Sequence, residues 1–580
     1  MAGAGRVRAT VASVGEPPRP AEAVCDGTVE QGGGSPPARP IRTFVRRWRW
    51  LGGPVAVAAI PFAIVLVVAV LHVDRPWVNR GDYALIELST RSAWRGRALV
   101  GPYSRYGWNH PGPAMFYWFA PFFRAFDQKP ESLGVAAATL NSSMALGAVI
   151  ASGVAAGRRA AWVTAAGVVA MVWVWGFSWI DRIWNPFIVL TPVVATGFLL
   201  AAVLSGRRWA LVPLVAVASF TVQSHVGTAP VLGVLGVVGV VGVLWQLRRG
   251  WRPWVRPMLA AAGVGAVAWS LPVYEQLSGR PGNLDQIVAF FRSSHRHQDL
   301  HAVLDRVVVQ LTLSRVNLLS NVVSKKRALP PASGGRLWLL ILLVGLVAVG
   351  AVVNLRARRR FEASLCVVSL AATAGVMLGT LRVVGRLEGY LTLPASAVGA
   401  LLWASALLTA SALAATGTAR IVAARTHAGL ELSRAVRLVA AATVVLVSAA
   451  VGFRTIVQRD PQQYLQVVHR PSQATLAITD TVRAAVPPGV HRVLVEARPP
   501  GIAVAAMLAN QIERDGHQVR AAPRLDYFFG RDRRADGCER FALRVGAPGE
   551  PAVAHGGRVL GTYADQVVQA RRRQPPPRCR

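Results

Sequence analysis

Residues 209–246 read WALVPLVAVASFTVQSHVGTAPVLGVLGVVGVVGVLWQ, an unbroken run without Asp, Glu, Lys or Arg. A helix needs about 20 apolar residues to cross the hydrocarbon of a bilayer. The run is therefore long enough for two spans turning at the polar Gln223-Ser224-His225-Val226-Gly227. Uncharged stretches recur at 50–73, 133–157, 160–180, 183–206, 257–274, 337–355, 363–381, 389–419 and 438–453. Together they predict about eleven transmembrane helices, 257–274 and 438–453 being the shortest. Composition agrees: 53% of the 580 residues are hydrophobic and the mean hydropathy is +0.38. Residues 1–45 form a polar Gly/Pro/Ala-rich tail. No cleavable signal is expected there, and the first apolar run is long enough to remain as an anchor.

A formal charge of +36 raises the question of nucleic acid. It is better read as topology. Only Lys129, Lys325 and Lys326 are lysine; the remaining basic residues are arginine, a GC-rich codon bias. The arginines cluster in every second loop, at Arg42–Arg49, Arg158-Arg159, Arg207-Arg208, Arg248–Arg256, Arg356–Arg360 and Arg420–Arg437. Short basic loops stay on the cytoplasmic side, so this alternation places the N-terminus inside and fits eleven spans. The bacterial plasma membrane is the expected location, with no nucleic-acid partner.

On that topology the acidic residues of the membrane region fall almost entirely outside, where the loops 74–132 and 275–336 are also long. Loops of that length are usually functional or disordered, and these are too aromatic for disorder. In the first, 82–94 and 113–126 read as short helices along the interface, the second carrying Met115, Phe116, Trp118 and Phe122. In the second, Leu284–Phe291 is amphipathic. The membrane region is thus 46–456. Beyond it a helix at 472–485, a strand at 491–496, a helix at 501–515 and a strand at 518–520 predict a small extracytoplasmic α/β domain over 457–570. A basic, Pro-rich tail closes the chain at 571–580. Cys538 and Cys579 both lie on the outer side, where a disulfide is permitted.

The chemistry concentrates between the first two spans, in Gly81-Asp82-Tyr83-Ala84-Leu85-Ile86-Glu87 and in 101–113, GPYSRYGWNHPGP. An Asp near the start of a long outer loop, interfacial helices, about eleven spans and a soluble C-terminal part resemble the GT-C membrane glycosyltransferases, which include protein mannosyltransferases and aminoarabinose transferases. The 101–113 stretch resembles poorly characterised GC-rich bacterial members. The resemblance covers 50–460 by architecture and the loop alone by local sequence. It implies transfer of a sugar from a polyprenyl-phosphate donor to a cell-envelope glycan, lipid or protein on the outer face. Membrane lipids are further partners.

That reaction needs a carboxylate to take the acceptor's proton and cations to stabilise the departing phosphate. Asp82 stands where the family's loop carboxylate would. It equally suits capping of a helix beginning at Tyr83. Glu87 is five residues on, about 140° around a helix, so the two acids do not face one ligand and a shared metal is not supported. A surface pair with Arg91 at i,i+4 suits Glu87 better. No cofactor is expected. Arg105, Asn109 and His110 are candidate substrate ligands, since Arg grips phosphate bidentately; Tyr103, Tyr106 and Trp108 equally suit an interfacial aromatic belt. Asp181 and Arg182 occupy an outer turn before Pro186, and His225 the turn between two spans. Arg382 and Arg386, four apart, would share a helical face near Tyr390 and clasp a phosphate. His295-Arg296-His297 with His301 lacks the Glu of a zinc-protease pattern, and its arginines oppose a cation.

Two other functions compete with transfer. A transporter of polyprenyl-linked sugars or lipids would carry charged or broken helices near the midplane, whereas these runs hold no Asp, Glu, Lys or Arg. A non-catalytic envelope protein would not need so loaded an outer loop.

Overall fold

Inside hydrocarbon, backbone N–H and C=O groups must pair within their own segment, so apolar runs of span length become helices. In the computed structural model, which describes residues 48–293, 298–313, 334–424, 473–523, 525–550, 557–574, 576 and 579, they do. The first run is α1 (Gly52–Leu71), and the outer loop carries α2 (Asp82–Trp94) and α3 (Ala114–Ala125). Then come α4 (Ser132–Ala156), α5 (Arg158–Trp175), α6 (Leu190–Leu204), α7 (Leu211–Ser224), α8 (Ala229–Leu247) and α9 (Val255–Ser278). The second long loop holds α10 (Asn283–Arg292) and α11 (Leu300–Leu311), followed by α12 (Gly334–Arg356), α13 (Arg360–Leu381) and α14 (Pro394–Ala424).

Among the described residues eight helical segments are long and apolar enough to cross a membrane, those built on α1, α4, α6, α8, α9, α12, α13 and α14. This is a multi-pass membrane protein. Helices α5 and α7, of 18 and 14 residues, stand where the third and fifth spans were expected. The expected span at 438–453 lies outside the described residues. The 209–246 run breaks where its polar residues predict: α7 stops at Ser224, Val226–Thr228 forms a single 3-10 turn, and Pro230 sits in the first turn of α8.

The C-terminal part begins with α15 (Gln473–Ala485), then β1 (Arg492–Ala497), α16 (Ile502–Arg514) and β2 (Gln518–Ala521). The later strands are β3 (Phe541–Gly546), β4 (Arg558–Tyr563) and β5 (Gln566–Arg572). They form one mixed sheet in the order β2-β1-β3-β5-β4. Strand β1 is parallel to β2 and β3, with Val493 opposite both Val519 and Phe541, while β5 runs antiparallel to β3 and β4. Strand β5 continues through Arg572, into the stretch read as tail. Cys538 and Cys579 are joined in a disulfide, with Cα atoms 5.4 Å apart.

Helix α2 is not a surface helix lying along an interface. Its Ala84, Leu85 and Leu88 enter the core of the C-terminal part with Ala505, Leu508 and Phe529. Its other face puts Ile86 and Ala93 against Phe116 and Phe119 of α3 and Leu133 of α4. Polar bonds reinforce the first contact. Asn510 Nδ2 donates to Ala84 O at 2.8 Å, and the buried Arg533 donates to Leu88 O at 3.1 Å while pairing with Glu513 at 2.7 Å.

Glu87 needs the larger correction. It does pair with Arg91, at 3.1 Å, but the pair is buried, not exposed. Arg514 from α16 meets the same carboxylate at 2.7 Å, and Asn79 Nδ2 donates to it at 2.9 Å. Five residues of helix carry Glu87 away from Asp82 and into the joint between the loop and the C-terminal sheet.

Candidate functional site

The stretch 101–112 folds back on itself. Gly101 N–H donates to His110 O at 3.0 Å, His110 N–H to Pro102 O at 2.8 Å and Ser104 N–H to Trp108 O at 3.0 Å, with Gly107 at positive φ near the tip. Glycine is required at its base. A Cβ on Gly101 would lie 2.7 Å from Gly112 O, and one on Gly112 would lie 2.3 Å from Gln223 Oε1. The hairpin is thereby seated on the end of α7. Tyr527 of the C-terminal part braces it from the other side, its hydroxyl donating to Trp108 O at 2.8 Å.

Asp82 opens α2, but the capping position is Gly81 and no side-chain cap bond forms. The Asp82 carboxylate instead accepts the Tyr103 O–H at 2.5 Å. Burial and the adjoining carboxylate push the Tyr103 phenol up, so it remains a donor. The helix N-terminus favours the negative charge.

Two cavities meet at Asp82 and Tyr103. The larger, about 550 Å³, brings Asp82 together with Arg105, His110, His225, Arg382 and Tyr390, five of the nine residues expected to bind substrate. Its walls are otherwise mostly apolar, with the aromatic rings of Tyr106, Trp108, Trp184, Phe290 and Phe291 among aliphatic side chains such as Val231, Ile287, Val376 and Leu391. The smaller, about 310 Å³, lies on the far side of the hairpin and is walled by α9, α10 and the Asp526–Asp532 segment.

His110 and His225 stack with ring centroids 4.9 Å apart. His110 Nδ1 accepts Val226 N–H at 3.1 Å, and His225 Nδ1 accepts Gly227 N–H at 3.1 Å. Each neutral ring therefore carries its proton on Nε2 as a donor. Arg105 stacks on Tyr106 and donates to Arg386 O at 2.9 Å, tying the hairpin to the segment after α13.

The remaining candidates lie elsewhere. Asn109 faces the smaller cavity, its backbone N–H donating to Asn283 Oδ1 at 2.9 Å. Arg182 is buried behind α2, bonded to Ser178 O and Tyr83 and close to Asp181 and Glu131. Arg382 and Arg386 do not share a helical face, because α13 ends at Leu381 and Gly385 takes positive φ. Arg386 pairs with Glu388 at 3.4 Å. His295, Arg296 and His297 lie outside the described residues, among which no three His, Cys, Asp or Glu side chains gather as a metal site. Trp108, which also suited an interfacial belt, is buried in the wall of the larger cavity, and its indole N–H has no acceptor among the described residues. Sequence reading missed Glu275, Asn283 and Asp526–Asp532, which reach the site only through tertiary packing.

No protein-family model matches the chain, and no curated protein matches it by sequence. Solved structures do match. ArnT from Cupriavidus metallidurans bound to undecaprenyl phosphate superposes with a TM-score of 0.53 at 17% identity, covering 90% of this chain and 98% of that one. Its apo form gives 0.50 at 17%, covering 88% and 97%. The chain has a GT-C fold. An oligosaccharyltransferase of Archaeoglobus fulgidus also aligns, at 13% identity and a TM-score of 0.41 over 83% of this chain and 65% of that one, too loosely to argue from. Within this fold the first long loop, the span ends and the Asp526–Asp532 segment of the C-terminal part converge on one place.

The histidine pair makes that place sensitive to acid. Burial holds His225 down to about 4, and burial together with His225 holds His110 well below the ordinary value. In the unfolded chain both titrate near about 6.5. The unfolded state thus binds more protons between those limits, so stability is full above about 6.5 and falls as pH drops toward about 4. His225 alone accounts for up to about 3 kcal/mol. Thermal midpoints of the detergent-solubilised protein are expected to fall from pH 7.5 to 5, less steeply in His225→Asn. An equal slope in both proteins would remove the histidine from the account.

Proposed function

We propose that this protein moves a sugar from a polyprenyl-phosphate donor to a cell-envelope acceptor on the outer face of the bacterial plasma membrane. One observation carries the reading: on a GT-C fold, Asp82 shares a cavity with Arg105, Arg382 and two histidine donors. The solved ArnT holds undecaprenyl phosphate, and this cavity joins cations to an aromatic wall, as a lipid-linked phosphate requires. The Cys538–Cys579 disulfide supports an oxidising, extracytoplasmic side for the C-terminal part, and with the eleven spans expected from the sequence the N-terminus is then in the cytoplasm.

In the reaction Asp82 takes the proton of the acceptor hydroxyl as its oxygen bonds to the anomeric carbon. The bond from that carbon to the phosphate oxygen breaks and polyprenyl phosphate leaves. Arg105, Arg382 and the Nε2–H groups of His110 and His225 stabilise the charge that develops on it. A single displacement inverts the anomeric centre. Tyr103 positions the base, and Tyr390 lines the donor side. Glu87 is committed to Arg91 and Arg514 and does not join Asp82 there.

The test is direct. Full-length protein in nanodiscs is given a panel of polyprenyl-phospho-sugars with cell-envelope extract, and release of polyprenyl phosphate is followed. Release with at least one donor is expected. No release with any donor, alongside flipping of a labelled donor across vesicles, would replace the enzyme with a transporter.

A further inference from the structure

The two cavities that meet at Asp82 differ in electrostatic character. The larger carries Arg105, Arg382 and imidazole donors among aromatic rings. The smaller is lined by four carboxylates, of Asp82, Glu275, Asp526 and Asp532, against the two guanidinium groups of Arg97 and Arg531. Its amides come from Asn109, Asn185, Asn283 and Gln286.

These carboxylates are held in place yet keep acceptor capacity. Asp532 accepts Ser92 Oγ–H at 2.9 Å, and Asp526 has only a loose ion pair with Arg534, at 3.9 Å. Glu275 is 2% exposed, and its Oε2 accepts Asn283 N–H at 2.8 Å. Its Oε1 has Arg531 Nη1 at 3.1 Å but makes no hydrogen bond. An anionic group would meet four carboxylates against two guanidinium groups. The apolar side chains of Leu85, Leu99, Phe116 and Phe528 share these walls with the carboxylates and amides.

We propose that the smaller cavity binds the acceptor, and that the acceptor's reacting end is a hydroxyl-bearing, non-anionic saccharide. This rests on the glycosyltransferase reading and on Asp82 as its base. The wall shared through Asp82 and Tyr103 then separates an anionic donor from a polyol acceptor, while presenting one carboxylate to the reaction. The C-terminal part has a role in this arrangement: Asp526–Asp532 is the acceptor's outer wall. At about 310 Å³ the space is at the low end for ligand sites, suiting a short saccharide end.

The experiment uses the full chain in nanodiscs. Its probes are neutral gluco-, manno-, galacto- and arabino-oligosaccharides, each also with a terminal phosphate. Binding is read by saturation-transfer NMR and calorimetry, without donor. At least one neutral probe is expected to bind about tenfold tighter than its phosphorylated form, and Asp526→Asn or Glu275→Gln to weaken it about tenfold. Binding of polyprenyl phosphate, measured in parallel, is expected to be unchanged in Asp526→Asn, which also shows that the variant is folded. The proposal is overturned if no neutral probe binds, if the phosphorylated forms bind as well, or if both variants bind like wild type. Loss of donor turnover with saccharide selectivity intact would instead strike the catalytic reading and leave the polyol site standing.

Discussion

Asp82→Asn is expected to lower sugar transfer about a thousandfold, the middle of the range for a general base, while polyprenyl-phosphate binding stays within about twofold. The substitution isolates the chemistry because it spares the geometry. An amide oxygen still accepts the Tyr103 O–H that now reaches the carboxylate at 2.5 Å. The start of α2 is kept as well, since Gly81 and not Asp82 occupies the capping position. What disappears is the proton acceptor, plus a favourable charge at a helix N-terminus of at most about 1 kcal/mol. Tyr103→Phe removes the orienting donor but leaves the base, so its loss is expected to be smaller and to fall on kcat more than on KM. Turnover in Asp82→Asn equal to wild type, with donor still bound, would take the base role from Asp82.

Much of this fold was legible because its cause is local. Hydrocarbon forces each uncharged run into a helix, and the turn at Gln223–Gly227 is marked by the cluster of consecutive polar residues Gln223-Ser224-His225 midway along its run. The helix and strand starts in 472–520 follow from short-range periodicity, and each agrees with the structure to within about two residues. Strands β3, β4 and β5 were not read from the sequence, since they are short and pair with β1 or with one another across the sheet. The site divides on the same principle. Asp82 stood out because an acid between a span and a helix is conspicuous. The bond from Tyr103 to Asp82 spans 21 residues, while the stacking of His110 on His225 and the arrival of Asp526–Asp532 depend on chain segments more than a hundred residues apart. Spacing failed where it assumed a helix that does not continue, as at Arg382 and Arg386. It also could not tell that Glu87 would be covered by α16.

That covering makes Glu87→Ala the substitution expected to cost most in stability, about 3–5 kcal/mol. Removing the carboxylate leaves Arg91, 2% exposed, and Arg514, 20% exposed, facing each other at the joint between α2 and α16. The penalty is that of buried charge without a counter-ion, not the modest worth of a surface pair. Burial alone would push the Glu87 carboxyl up, but Arg514 and Arg91 more than offset it and hold it below its ordinary value. Its contribution is therefore complete above about pH 4.5 and is lost as pH falls through the folded-state pKa. Because α2 also carries Asp82, loosening this joint is expected to reduce turnover although Glu87 touches no substrate. A triple replacement, Glu87→Met with Arg91→Met and Arg514→Met, separates the causes. Apolar groups of similar size often replace a buried ion cluster at little cost, so most of the lost thermal midpoint is expected to return, and turnover with it. A stability for Glu87→Ala within about 1 kcal/mol of wild type would mean that water reaches the cluster and that the joint is held by its apolar contacts, Ala84, Leu85 and Leu88 against Ala505 and Leu508.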